Sequence, residues 1–243
     1  MVVKYTRSAL FCLAMFERLL VLNMRINCKI YGKAYYYFGR RQRIIILQPN
    51  SFSPEQTTVW SFPDRGKWAT HSGNYRGNWS PYVPRNLILR YSEPGDWILD
   101  QFLGSGTTLV EAKLLNRNAI GIDINPQSVS LSETNLNFSC DSQSKIFVKN
   151  GNATNLFFIK DEKIDFICTH PPYADMIRYS NGIEGDISLL NDNTFLNEMK
   201  KVAGESYRVL KAGKCCAVMI GDRRRDGNVV PLGFGVMFSV SWF

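Results

Sequence analysis

From Trp97 onward the chain alternates short apolar runs with segments of helical period, and this alternation limits the fold more than any other feature. A strand is expected over Trp97–Asp100, a glycine-containing loop after it, and a helix over residues 107–116. A strand over 119–123 and a helix over 126–137, opened by Pro126, come next. Strands over 145–149 and 164–168 follow. A helix over 195–210 carries apolar side chains at Phe195, Met199, Val202 and Val209, with Ser206 as a polar exception and Gly213 as its stop. A last strand is expected over 215–220. Strand and helix in turn demand right-handed crossovers onto a parallel sheet, hence an α/β, doubly wound, Rossmann-like fold. At 243 residues the chain suits one such domain with a sizeable core.

Two junctions of this pattern carry chemistry. The first reads DQFLGSGTT, Asp100 to Thr108. Its Gly104 and Gly106 stand where a strand turns into a helix, a place that calls for positive φ and close approach of the backbone to a ligand. The second reads THPPY, Thr169 to Tyr173, about seventy residues further on. Two prolines and an aromatic ring on a rigid turn suit a flat heterocycle. Between them Asp123 ends a strand in GIDINP, where a carboxylate can accept both hydroxyls of a ribose. Asp123 could instead cap the helix that starts at Pro126, although Asn125 is better placed for that.

With these motifs in this order, the chain resembles the amino-methylating DNA methyltransferases, which move a methyl group from S-adenosylmethionine (SAM) to adenine N6 or cytosine N4. The resemblance runs over residues 60–237. In that family an F-x-G-x-G-T loop, here Phe102-Leu103-Gly104-Ser105-Gly106-Thr107, holds the methionine part of SAM. A [DNS]-P-P-[YFW] tetrapeptide, here His170-Pro171-Pro172-Tyr173, holds the target amine. The string WATHSGNYRGNWSPYVPRNLI, Trp68 to Ile88, is similar to the segment ahead of the SAM loop in members with this motif order.

The resemblance implies a Rossmann-like SAM-dependent methyltransferase fold, SAM as cofactor, DNA as substrate and a cognate restriction endonuclease as a further partner. It gives cofactor-binding roles to Asp100, Phe102, Gly104, Gly106, Thr107, Asp123 and Asn152. Asp100 would hold a water or the amino group of the methionine tail. Asn152 stands where the family often has an Asp that meets the cofactor's adenine N6, and an amide oxygen can accept the same bond. A plain Asn turn after Gly151 is the alternative. His170 replaces the usual Asp, Asn or Ser. A neutral imidazole and the Pro171 carbonyl would accept the protons of the target amine, with Tyr173 stacking on a base extruded from the duplex. The alternative for His170 is a satisfied loop histidine. The Pro-Cys dipeptide that cytosine-C5 chemistry needs is missing from the chain.

Composition narrows the reading further. The formal charge of +8 comes from the first 50 residues, which hold nine Lys/Arg and one acid, while the rest holds 20 of each sign. Arg65, Lys67, Arg76, Arg85 and Arg90, interleaved with Trp68, Tyr75, Trp79 and Tyr82, form a stripe that could track phosphates and stack bases. Alternatively the aromatics cover the sheet and the charges face solvent. The six cysteines show neither C-x-x-C nor disulfide spacing and read as reduced thiols, with no metal cluster. The apolar run 9–16 is too short for a bilayer, so a cytoplasmic protein with no membrane partner is expected.

Residues 1–50 form a basic extension ahead of a catalytic domain over 51–243; a DNA-binding extension, an extra strand and sequence upstream of a start at Met24 are all open. Two further readings stand beside DNA methylation. One is methylation of an amino group on RNA, such as guanine N2, or on protein. The other is an inactive remnant: the family-like run ends at SVSWF, so the sheet is expected to be incomplete and to leave an open edge after Ile220.

Overall fold

The computed structural model describes residues 2–6 and 46–240, with side chains over 46–238. The apolar run 9–16, Cys12, Cys28 and the run 35–38 lie outside the described residues. Six strands form one sheet: β1 (Val2–Thr6), β2 (Trp97–Asp100), β3 (Asn118–Asp123), β4 (Ile146–Asn150), β5 (Ile164–Thr169) and β6 (Leu210–Met219), in the order β1-β6-β5-β2-β3-β4. Neighbours from β6 to β4 pair in parallel, and β1 runs antiparallel to β6. The doubly wound, Rossmann-like fold is therefore present.

Successive strand residues face opposite sides. Ile98 and Phe166 pack with Leu87, Ile88 and Leu109 on one side, where α1 (Tyr82–Tyr91) and α2 (Thr107–Leu114) lie. Leu99 and Ile167 pack with Leu156, Ile159 and Val209 on the other. Helix α4 (Asp192–Val209) buries Phe195, Met199, Val202, Ser206 and Val209, the stripe read from its period. Ser206 tolerates burial because its hydroxyl reaches Gln101 Oε1 at 2.9 Å and the Val202 carbonyl at 2.8 Å.

Two expectations change. Gly213 does not stop α4: the helix ends at Val209 and β6 begins at Leu210. Gly213, at φ 75°, lies inside β6, where the pairing jumps from Ile164–Leu210 to Phe166–Cys215 and the extra residues must bulge. The edge of β6 does not lie open either, because β1 covers it with Val2 opposite Met219 and Thr6 opposite Cys215. Elements missed in the sequence are α1, which starts between Pro81 and Pro84, the hairpin β7 (Arg223–Arg225) and β8 (Asn228–Val230), and α5 (Leu232–Val240).

Chain direction sets the site. From β2 the connection leads to β3 on one side, while β5 flanks β2 on the other. Such a switch point leaves a crevice beyond the carboxyl ends of the strands, where α/β sheets bind ligands.

Candidate active site

A cleft, open at its mouth, occupies that crevice. Its wall is drawn from the loops that leave β2, β3, β4 and β5, from the segment around Tyr75 to Trp79, and from Tyr179 and Gly185 to Ile187.

Gly104 and Asp123 meet on this wall. The positive φ of Gly104, 51°, lets its N–H reach Asp123 Oδ2 at 2.8 Å, and a Cβ there would stand 3.1 Å from the Tyr75 ring. The other oxygen, Asp123 Oδ1, accepts the Asn125 N–H at 2.9 Å. Asn125, not Asp123, caps α3 (Pro126–Leu136), its side chain accepting from Gln127 N at 3.0 Å. Burial raises the Asp123 carboxyl to about 6; the two N–H donors oppose the rise, and Asp100 and Asp186 add to it.

Phe102 and Asn152 also lie on the wall, but the Asn152 oxygen accepts from both Thr154 N and Thr154 Oγ1 at 2.9 Å. That oxygen makes the plain Asn turn rather than presenting itself to a ligand. Asp100 is buried behind the wall, accepting from Thr169 Oγ1 at 2.8 Å and the Phe102 N–H at 3.1 Å, and its burial pushes its carboxyl up. Thr107 is turned away to Asn78 Oδ1 at 2.7 Å. Gly106, at φ 85°, lets α2 approach α3, since a Cβ would lie 3.0 Å from that of Ser132. Of the seven residues expected at the cofactor, Phe102, Gly104, Asp123 and Asn152 line the cleft, and Asp100, Gly106 and Thr107 support it from behind.

At the other end stand His170, Pro171 and Pro172. The His170 ring stacks on Trp79, with centroids 5.3 Å apart and planes at 26°. Burial lowers its pKa to about 4, so the imidazole is neutral at pH 7. Tyr173 is placed differently from the expectation of a stacking platform. Its ring sits against Gly221 and its hydroxyl lies 2.9 Å from His170 Nε2, behind the wall. Burial raises that phenol to about 12, so it remains protonated.

Sequence reasoning missed Gln101, Asn78, Asn125, Tyr179 and Asp186 on the wall. The basic aromatic stripe also proves largely structural. Glu111 of α2 is fully buried; its Oε1 accepts from Trp68 Nε1 and His71 Nε2, each at 2.7 Å, and its Oε2 from Arg85 Nη1 at 2.8 Å. Burial alone would raise the Glu111 carboxyl, but these donors outweigh it and hold the group below its ordinary range. The cluster ties down the segment that carries Tyr75, Asn78 and Trp79 onto the cleft.

Residues 88–224, over half of the chain, match the family model described as the RMKL-like methyltransferase domain, and residues 29–134 match the one described as DNA methylase. The Type II methyltransferase M.BglI of Bacillus subtilis is 33% identical over 104 residues, 41% of this chain and 29% of that protein. M.MjaII of Methanocaldococcus jannaschii is 36% identical over 84 residues, 34% of this chain and 16% of that protein. A tRNA (guanine(10)-N2)-dimethyltransferase of Methanothermobacter thermautotrophicus is 34% identical over 101 residues, again 41% and 29%. The match thus spans less than a third of each of these relatives. On its motifs, its fold and these matches, the chain belongs to the family of the RMKL-like methyltransferase domain, over residues 88–224, and is similar over residues 29–134 to the DNA methylases.

Proposed function

We propose that the cleft binds SAM and that the chain methylates an exocyclic amine of DNA, cytosine N4 or adenine N6. The observation that carries this reading is that Asp123, held by the glycine loop, and His170-Pro171, at the target end, line a single cleft. The residues fit the cofactor: Phe102, Ile124 and Ala153 offer apolar wall, and Asp123 keeps lone pairs beyond its two N–H partners for a pair of hydroxyls. SAM supplies an activated methyl group on its sulfonium. Restriction-modification pairing and a cytoplasmic location belong to the same proposal.

The chain's own contribution is alignment and electrostatics. An exocyclic amine shares its lone pair with the ring, so acceptors must take its protons and free that pair. His170, neutral by burial, is one acceptor, and the Pro171 carbonyl is the second. Nδ1 can accept only when Nε2 carries the ring proton and donates to the Tyr173 oxygen. Tyr173 therefore orients His170 instead of stacking on the base. Tyr173→Phe should lower turnover about tenfold, the weight of one hydrogen bond of about 1.4 kcal/mol, with SAM affinity unchanged. Unchanged turnover in steady-state kinetics would remove Tyr173 from this role.

Acid should weaken SAM binding through Asp123. The ordinary carboxyl value is 3.8 and the folded one about 6, so the folded state takes up a proton before the unfolded one as pH falls. Asp123 thus stabilises the free protein below 3.8 and loses that contribution as pH rises through 6. Ribose hydroxyls need the ionised form, which the free protein holds at that cost. Titrations from pH 8 to 5 should show affinity flat above about 6 and falling up to tenfold per pH unit below it. His170, at about 4, stays neutral across that range. A flat profile in Asp123→Asn would tie the fall to this carboxyl, and a profile unchanged by the substitution would refute the link.

Methyl transfer tests the whole reading. Incubated with methyl-labelled SAM and with equal masses of DNA and tRNA, the chain should label DNA. Label confined to tRNA would favour the second reading, RNA guanine N2, to which the tRNA dimethyltransferase relative points.

A further inference from the structure

We infer that Gln101 is a cofactor-binding residue whose amide N–H donates to the carboxylate of SAM's methionine part. The inference rests on the SAM-binding reading of the cleft. Gln101 follows Asp100 at the end of β2, lines the cleft, and is only 1% exposed. Its backbone N–H and its side-chain oxygen are both occupied, by Thr169 Oγ1 at 3.2 Å and Ser206 Oγ at 2.9 Å. Its side-chain nitrogen, Nε2, is buried with no partner. A buried donor left unpaired is costly, and such groups are rare unless a ligand completes them.

The cleft wall indicates which ligand group this is. It carries the carboxylates of Asp123 and Asp186 but no lysine or arginine. A ligand carboxylate entering here finds no cation and must be held by neutral N–H donors. Two other amides of the wall already have work, Asn78 donating to Ser72 O and Ser105 Oγ and Asn125 to Tyr179 O, while the Asn152 amide nitrogen lies against Gly185 rather than beside the glycine loop. Gln101 stands next to Phe102 and Leu103, the loop that approaches the cofactor, and its Nε2 is a fully buried donor without a partner.

Gln101→Met tests this with little damage to the fold. Methionine matches the length of glutamine, and Ser206 keeps the Val202 carbonyl as acceptor at 2.8 Å. The melting temperature of the free variant should equal or exceed that of the parent. Calorimetric titration should show SAM binding weakened about 10- to 150-fold, the range for a hydrogen bond to a charged group. Decarboxylated SAM, which keeps the sulfonium and the amine, should bind parent and variant alike. Equal SAM affinity for parent and variant would overturn the inference, and so would an equal loss for both ligands. Failure of the parent chain to bind SAM would instead sink the SAM-binding reading itself.

Discussion

Glu111→Ala should cost about 3–5 kcal/mol of folding stability, the range for removing one member of a buried, hydrogen-bonded charge cluster. The carboxylate is the shared acceptor of Trp68, His71 and Arg85, and its loss leaves two buried N–H groups without a partner and the buried Arg85 guanidinium without its counter-charge, with the neutral Gln48 Oε1 as its remaining acceptor. Against a typical total of about 5–15 kcal/mol, that is a large fraction. The same cluster predicts a pH effect. A carboxyl held below its ordinary value contributes stability that is present above the unfolded-state value of 4.5 and is lost as pH falls below it. Urea unfolding at pH 7 and at pH 4 should show the parent losing stability at the lower pH and Glu111→Ala losing less. A variant within about 0.5 kcal/mol of the parent, the usual size of a surface change, would mean that the cluster does not hold the segment in place.

His170→Ala should reduce turnover about 100-fold or more while leaving SAM affinity within error. Removing one preorganised partner from a transition state costs that much where charge develops out of contact with water. His170 is half-buried between Trp79 and Tyr173, and no other side chain among the described residues at the HPPY turn offers a neutral nitrogen acceptor. His170→Asn should recover part of the loss, because an amide oxygen accepts without depending on a tautomer. Wild-type turnover in His170→Ala, measured with saturating SAM, would return His170 to the role of a loop filler.

The sheet was legible because its strands are buried on both faces: Ile98-Leu99 and Ile164 to Cys168 have no solvent side to interrupt the apolar run. Helix α4 was legible from its stripe, and α3 from Asn125 and Pro126. Polar side chains at the site were harder to place. Asp100 and Asn152 had the right chemistry at the right strand ends, yet each spends its oxygens inside the protein, on Thr169 and Thr154. Nothing in a linear pattern distinguishes a carboxylate that serves a ligand from one that serves a hydroxyl across the sheet. Arg85 and Trp68 looked like a nucleic-acid stripe because their acceptor, Glu111, lies 26 and 43 residues away. The segment from Ala174 to Leu190 has two single 3₁₀ turns, at Ala174–Met176 and Ile187–Leu189, and no period to read. It closes the cleft through Asp186, which accepts from Ser188 N at 2.8 Å and Ser180 Oγ at 2.6 Å.

The chemistry assigned to the cleft is tested most directly by the product. DNA incubated with the purified chain and SAM bearing a labelled methyl group, then digested to nucleosides and resolved by mass spectrometry, should yield label in N4-methylcytosine or N6-methyladenine. Label in 5-methylcytosine, which needs a covalent nucleophile, would contradict an amine target held by His170 and Pro171, and so would the absence of any labelled nucleoside from a chain shown to bind both SAM and DNA.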